Sequence, residues 1–188
     1  GLWQETISNQ APSSIKELHA SSDDMIIVTD TAIWAYSYPF ISTGNFVHVF
    51  GTGEGLRAAV DGNTLVVAEA AGYVYGFYNT FLPGQVFIYE RNGGSWVQSQ
   101  TLIALDSQPD DYFGTDISIN DGLILVGAPG HDNQGLNTGA AYIYRNLNSN
   151  WEASGKIYPR RALAEMSFGN QVVTDGSTVA TGWARLSV

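Results

Sequence analysis

Short apolar runs separated by turn-forming residues follow one another along most of the chain. In residues 112–129, two such runs are joined by Asn120, Asp121 and Gly122. Glycine adopts positive φ freely, and asparagine and aspartate adopt it more readily than most residues, so these three residues favour a tight hairpin turn. Almost no helical periodicity accompanies the runs, and the pattern therefore predicts an all-β fold.

The hairpin recurs along the chain. Its four turns lie a few tens of residues apart, at Ser22, Asp61, Asn120 and Asp175. The first three hairpins are each followed by a glycine and an aromatic-rich alternating run, in residues 44–50, 84–89 and 139–144. After the last two of these runs, a polar turn leads to Trp96 or Trp151, which begins a further strand. A complete unit therefore contains four short strands, which is typical of a β-propeller blade.

Two further motifs flank the hairpins. Phe113-Gly114 precedes the third hairpin, Gly127-Ala128-Pro129 ends it, and Phe168-Gly169 precedes the fourth. These motifs resemble the FG-GAP repeat, the blade unit of integrin α-subunit β-propellers and of many secreted proteins. The resemblance implies β-propeller-type blades of four-stranded antiparallel sheets, about three to three and a half blades in this chain. Phe113 and Phe168 are then expected to be buried between blades, with Gly114 and Gly169 allowing the backbones to approach closely.

The repeats predict a single segment over residues 1–188. Its units are residues 8–50, 51–102, 103–157 and an incomplete 158–188, and residues 1–7 form the outer strand of a preceding blade. The first unit is expected to lack its outer strand. A closed propeller needs at least four blades, and an open stack exposes strand edges and apolar faces. We therefore expect either further blades from the same polypeptide or self-association with other copies.

Charge and composition restrict the partners. The chain has 8 Lys and Arg against 18 Asp and Glu, a net charge of −10, so no nucleic-acid binding is expected. It has no cysteine, and no apolar run approaches the roughly 18 residues of a membrane helix, so membrane insertion is not expected either. An acidic, glycine-rich composition is common in secreted proteins and favours an extracellular, cell-surface or virion-surface location.

Calcium is the metal that the resemblance brings into question, because integrin-like blades often bind it between strands one and two. Calcium takes 6–8 oxygen ligands, whereas the turns here offer one or two each. We therefore predict no metal or other cofactor. The alternative is a looser calcium site formed by Asp106, Asp110, Asp111 and residues 132–134.

The connections between strands two and three carry the candidate binding residues. Residues 31–40 and 72–81 are rich in aromatics, whereas residues 130–137 are polar. The resemblance places these loops on the ligand-binding face, and tyrosine and tryptophan suit a protein or glycan partner. The predicted partner-binding residues are Trp34, Tyr36, Tyr38, Tyr73, Tyr75, Phe77, Tyr78, His131 and Asp132. The alternative is that these aromatic residues extend strands and pack between blades.

No enzymatic motif supports catalysis. The three histidines occupy unrelated positions of the repeat, and no Gly-x-Ser-x-Gly sequence is present. We predict a recognition or adhesion module rather than an enzyme, with a lectin and a structural subunit of a surface or viral assembly as alternatives. The enzymatic alternative is a glycosidase fragment that would use carboxylates such as Asp30, Glu69 and Asp132.

Overall fold

The computed structural model describes residues 15–20, 24–29, 32–37, 45–49, 56–70, 72–74, 80–82, 84–93, 95–132 and 134–182. Within these residues the regular structure is all β, apart from a single 3-10 turn at Pro109–Asp111. The predicted all-β fold is therefore confirmed. The predicted outer strand in residues 1–7 lies outside the described part. No helix among the described residues is long and apolar enough to cross a membrane.

The first half of the chain forms two four-stranded antiparallel sheets, which we call blades 1 and 2. Blade 1 consists in order of β1 (Ile15–Ala20), β2 (Asp24–Thr29), β3 (Ala32–Ser37) and β4 (Asn45–Val49). The next strands are β5 (Leu56–Asp61), β6 (Thr64–Glu69), β7 (Gly72–Val74), β8 (Thr80–Leu82), β9 (Gln85–Asn92) and β10 (Ser95–Leu102). Blade 2 is the sheet β10-β9-β6-β5, and β7 and β8 form a separate hairpin between β6 and β9.

The second half forms blade 3 and a two-stranded sheet that we call blade 4. Blade 3 consists in order of β11 (Ile117–Asn120), β12 (Leu123–Ala128), β13 (Ala140–Leu147) and β14 (Asn150–Ile157). Blade 4 consists of β15 (Gln171–Thr174) and β16 (Val179–Gly182). Asp121 and Gly122 both have positive φ, as a tight hairpin turn of this kind requires. The hairpin, the aromatic third strand and the tryptophan strand predicted for blade 3 are all confirmed.

Blade 1 differs from its prediction. Residues 31–40 were expected to be a loop and the outer strand to be missing, yet Ala32–Ser37 forms β3, with Trp34 opposite Ile27. Residues 45–49 are then the fourth strand rather than the third. The physical reason is an alternation within the aromatic run: Ile33 and Ala35 are buried on the face that packs against blade 2. That alternation is the period of a half-buried strand.

The blades stack face to face through apolar layers. Val28 and Ile33 of blade 1 share a core with Leu65 and Val67 of blade 2. The opposite face of β6 and β9 packs against blade 3, in a core that includes Phe113. The first strands of blades 2, 3 and 4 lie beside one another. This arrangement is that of successive propeller blades, with each first strand innermost.

Candidate functional site

The Phe-Gly motifs join neighbouring blades. Phe113 is completely buried and Phe168 nearly so, as the repeat alignment predicts. The Phe113 ring packs edge-on against Tyr142, with 5.2 Å between the ring centroids and 89° between the planes. Phe113 lies in the core shared by blades 2 and 3, whereas Phe168 packs against Leu125 and Ala141 of blade 3. Each phenylalanine therefore anchors the start of one blade on the blade before it.

Two glycines, each directly before the third strand of a blade, lie against the backbones of these phenylalanines. A Cβ atom on Gly84 would lie 1.7 Å from the Phe113 carbonyl oxygen, and one on Gly139 would lie 2.0 Å from that of Phe168. Gly169 is equally confined, because its Cβ would lie 2.2 Å from the Ala140 carbonyl oxygen. The sequence interpretation placed Gly84 and Gly139 in the repeat but did not identify them as contact residues. Their recurrence at one position of the repeat is the signal that could have done so.

Three connections meet at one end of blades 2 and 3. The strand β8 contacts the 3-10 turn Pro109–Asp111. The Asp111 carbonyl accepts a hydrogen bond from the Gly130 amide at 3.0 Å, and a Cβ on Gly130 would lie 2.0 Å from the Asp110 carbonyl oxygen. The β7–β8 hairpin and residues 103–112 and 129–139 therefore form one surface, which we call the loop face.

A polar network crosses the loop face around Asp106. The Tyr142 hydroxyl donates to Asp106 Oδ1 at 3.1 Å, and Lys156 Nζ donates to Asp106 Oδ2. His131 Nε2 lies 3.8 Å from the same Oδ2, and its ring stacks on Tyr142 at 5.9 Å. Lys156 Nζ also lies 4.5 Å from the centre of the Tyr142 ring, a cation–π contact. The network ties residues 103–108 to three different elements of blade 3.

Burial sets the protonation of this network. It raises the pKa of the Tyr142 hydroxyl well above its ordinary value, and the charge of Asp111 raises it further. Burial also lowers the pKa of Lys156 from its usual range. At neutral pH Tyr142 therefore remains a hydrogen-bond donor, which matches its contact with the Asp106 carboxylate.

The structure locates part of the predicted partner-binding set. His131 is buried and Asp132 is exposed, both on the loop face. Asp132 Oδ1 accepts the Asn137 amide at 2.6 Å. Tyr73 lies in β7, paired with Phe81 of β8. Tyr38, Tyr75, Phe77 and Tyr78 lie outside the described residues.

Trp34 and Tyr36, predicted in a binding loop, lie instead in β3 of blade 1. Trp34 packs against Met25 and Ile27, two fully buried residues of β2. The prediction of a loop at these two positions is therefore wrong, because they belong to a paired strand. Trp34 therefore extends a strand, as the alternative states, but it packs on its own blade rather than between blades.

Two carboxylates of the proposed looser cation site, Asp106 and Asp111, are engaged elsewhere. Asp106 binds Tyr142 and Lys156, and Asp111 Oδ2 accepts the Gln108 amide at 2.9 Å. In the part of the chain that the structure describes, no three His, Asp or Glu side chains form a group that could hold a metal ion. Asn133, another member of the predicted group, lies outside the described residues. Of the glycosidase candidates, Asp30 is outside the described residues, Glu69 ends β6 and Asp132 lies in the loop after β12.

A second polar cluster, which the sequence interpretation missed, joins the innermost strands. Arg57 Nε lies 3.4 Å from Glu17 Oε1, and the Ala58 amide donates to Glu17 Oε2 at 3.4 Å. In the same way the Val172 amide of blade 4 donates to Asp116 Oδ2 of blade 3 at 2.7 Å. A carboxylate within one first strand (Glu17) or directly before it (Asp116) thus bonds to the first strand of the next blade.

Burial acts on these two carboxylates with different outcomes. It raises the pKa of Asp116, although the Val172 and Ile117 amides oppose the rise. For Glu17 burial also acts upwards, but hydrogen bonds from His19 and Ala58 and the charge of Arg57 outweigh it, so that pKa is lowered. A polar cleft of about 220 Å³ opens beside Arg57 and Asp116. Because protein donors already occupy both carboxylates, we assign the cluster to blade packing.

Comparison with known proteins agrees with this architecture. Residues 96–144 match the family model described as FG-GAP repeat. No curated protein matched the chain. The matched segment begins in the outer strand of blade 2 and ends in β13, so it includes Phe113-Gly114, the β11–β12 hairpin and Gly127-Ala128-Pro129. Residues 96–144 are therefore an FG-GAP repeat. They lie in two successive antiparallel blades of the propeller type.

Proposed function

We propose that the protein is a recognition or adhesion module, displayed outside the cell or on a cell or virion surface, that binds a protein or a glycan through its loop face. The observation that carries the proposal is the contact between β8 and Pro109–Asp111, continued by the hydrogen bond from Gly130 to Asp111. Connections from two blades are thereby gathered into one surface. FG-GAP propellers often serve in adhesion or binding, which supports the same conclusion.

The two ends of the blades differ in a way that favours this surface. At the opposite end, the described turns of blades 2 and 3 at residues 62–63, 121–122 and 148–149 are two residues long. At the loop face the connection between β6 and β9 is long enough to form its own hairpin. Loops held on a rigid scaffold are the usual location of binding residues.

The composition of the β7–β8 hairpin suits a protein or glycan partner. Its sequence contains Tyr73, Tyr75, Phe77, Tyr78 and Phe81. Aromatic rings bring a large apolar area at little cost in side-chain entropy, and tyrosine adds a hydroxyl for hydrogen bonding. A two-stranded hairpin is only marginally stable by itself, so the contact of β8 with Pro109–Asp111 also helps to hold it in place.

The test is a binding screen with a hairpin variant. The full chain is screened against an array of immobilised glycans and a panel of immobilised extracellular-matrix proteins. In the variant, residues 73–81 are replaced by a short Gly-Ser linker. We expect the variant to lose the binding that the unchanged chain shows, because the linker removes the aromatic residues of the loop face.

The matched control changes the opposite end of blade 3. Asn148 and Ser149 both have positive φ there, so Ser149→Gly should be tolerated and should leave binding unchanged. Glycan hits would identify a lectin, and protein hits a protein-recognition module. Unchanged binding by a folded hairpin variant would contradict the proposal. Self-association seen by light scattering, without binding to either panel, would favour the structural-subunit alternative instead.

A further inference from the structure

The connection from blade 2 to blade 3 presents a leucine to solvent at the tip of a turn. Leu102 and Ala104 pack into the core between these blades. The next residues turn back, and the Ser107 amide donates to the Ala104 carbonyl at 3.1 Å. Leu105, within this turn, is 95% exposed, the largest value for a large apolar side chain among the described residues.

The turn is fastened on both sides of Leu105. On one side, the Tyr144 hydroxyl donates to the Ile103 carbonyl at 3.4 Å. On the other side, Asp106 is held by the Tyr142 hydroxyl and by Lys156. Leu105 therefore cannot move into the core without breaking these contacts. Because the chain on both sides of Leu105 is already held, binding through Leu105 costs little backbone entropy.

The fold itself does not require a leucine at this position. In the next repeat, Trp151 and Ile157 of β14 occupy the places of Trp96 and Leu102 in β10. The residue that corresponds to Leu105 is then Arg160, which is also exposed. Since the corresponding connection carries an exposed arginine at this position, the repeat does not require an apolar side chain there.

We propose that Leu105 is the apolar anchor by which the loop face binds a protein partner, and that the partner offers an apolar pocket bordered by lysine and arginine. This inference rests on the proposed recognition function and selects a protein over a glycan. An aliphatic side chain has neither a flat ring face nor a hydrogen-bonding group for a sugar, whereas it fills an apolar pocket well.

The negative charge of the loop face indicates which residues surround the partner's pocket. The chain carries a net charge of −10, and Asp106, Asp110 and Asp132 are exposed on the loop face. Lys156, the cation of this network, is engaged with Asp106. Positive side chains around the pocket would therefore meet a complementary field and associate faster.

Peptide selection on the full chain tests the inference. A random peptide library displayed on phage is selected on the immobilised protein, and enriched peptides are synthesised and titrated by fluorescence anisotropy. We expect them to combine large apolar residues with lysine or arginine. Leu105→Arg, which copies the residue of the next repeat, and Leu105→Ser should each weaken their binding about 10–100-fold, the effect of no longer burying one leucine.

The matched control is Leu147→Arg. Leu147 is 50% exposed and lies beside the turn at the opposite end of blade 3, so this variant changes the net charge as Leu105→Arg does but should keep binding. Equal affinity for Leu105→Ser and the unchanged chain would overturn the inference, as would a library that yields no binding peptides. If the Leu105 variants kept all binding while the β7–β8 hairpin variant lost it, the recognition function would stand and the role of Leu105 would not.

Discussion

The side chain of Gln100 makes two hydrogen bonds to the backbone of Trp151. Its Nε2 donates to the Trp151 carbonyl at 2.7 Å, and its Oε1 accepts the Trp151 amide at 2.9 Å. Gln100 belongs to β10 and Trp151 to β14, the outer strands of blades 2 and 3. The side-chain amide of Gln100 thus bonds to the backbone of Trp151 as the backbone of a paired strand would. It joins blades 2 and 3 at their outer strands.

Removal of this amide should lower stability. Gln100→Ala leaves the carbonyl and amide of Trp151 without their partners, and we expect a loss of about 1–3 kcal/mol in the free energy of unfolding. Urea unfolding followed by tryptophan fluorescence measures it. Gln98→Ala is the control, because the exposed Gln98 side chain bonds to Thr101 of its own strand. Equal unfolding midpoints for the two variants would contradict the role given to Gln100.

The glycine at the start of a third strand should be intolerant of any side chain. Gly84→Ala would place a Cβ against the backbone of Phe113, which cannot move aside as a flexible side chain could. We expect a loss of about 3 kcal/mol or more, from strain between blades 2 and 3. Gly155→Ala is the control, since nothing lies within 4 Å of its Cβ position. Thermal unfolding of both variants should therefore separate them by many degrees, and a Gly84→Ala protein as stable as the control would refute the contact.

Truncation of the buried Phe-Gly anchor should be costly. Phe113→Ala empties a site enclosed by Tyr142, Tyr144 and the core of blade 2, so we expect a loss of about 3–5 kcal/mol. Leu147→Ala, at an exposed position of the same blade, should change stability little. Chemical denaturation with circular dichroism compares the two. A loss below about 1 kcal/mol for Phe113→Ala would show that the ring is not a blade anchor.

Local pattern was sufficient to predict blade 3 and much of blade 2. The β11–β12 hairpin follows from the turn at Asp121 and Gly122, and β10 and β14 follow from Trp96 and Trp151 after polar turns. These features depend on residues close together in sequence, where turn chemistry and alternation act directly. In blade 1 the aromatic run around Trp34 was predicted to be a loop, although it forms a strand. Ile33 and Ala35 supply the buried face of that strand.

The side-chain hydrogen bonds and ion pairs between blades could not be predicted from the pattern. Asp106 meets Tyr142, Glu17 meets Arg57, and Gln100 meets Trp151 across long stretches of chain. The repeat does not signal them, since the position that corresponds to Gln100 in β14 is Gly155. Side-chain bonds of this kind are specific to one pair of blades, whereas the Phe-Gly anchors and their receiving glycines recur.

Tyrosine ionisation should determine the alkaline limit of stability. Burial raises the pKa of Tyr89 from 10.0 to about 12, with the charge of Glu69 adding to the shift, and burial also raises the pKa values of Tyr142 and Tyr144. A tyrosine whose pKa is higher in the folded state contributes stability that is complete below the unfolded pKa. This contribution is lost as the pH rises through the folded pKa. We therefore expect the melting temperature to fall between about pH 10 and 12.

Tyr89→Phe provides the control for that prediction. Phenylalanine keeps the apolar ring and removes the ionisable hydroxyl. The melting temperature of the variant should therefore fall less steeply as the pH rises over the same range. Melting followed by circular dichroism, together with tyrosinate absorbance during the alkaline titration, measures both effects. Tyrosinate absorbance should rise in the same pH range as the loss of folded structure, because the buried hydroxyls ionise only when the core unfolds. Full tyrosine ionisation near pH 10 in a chain that remains folded would show that these rings are open to solvent.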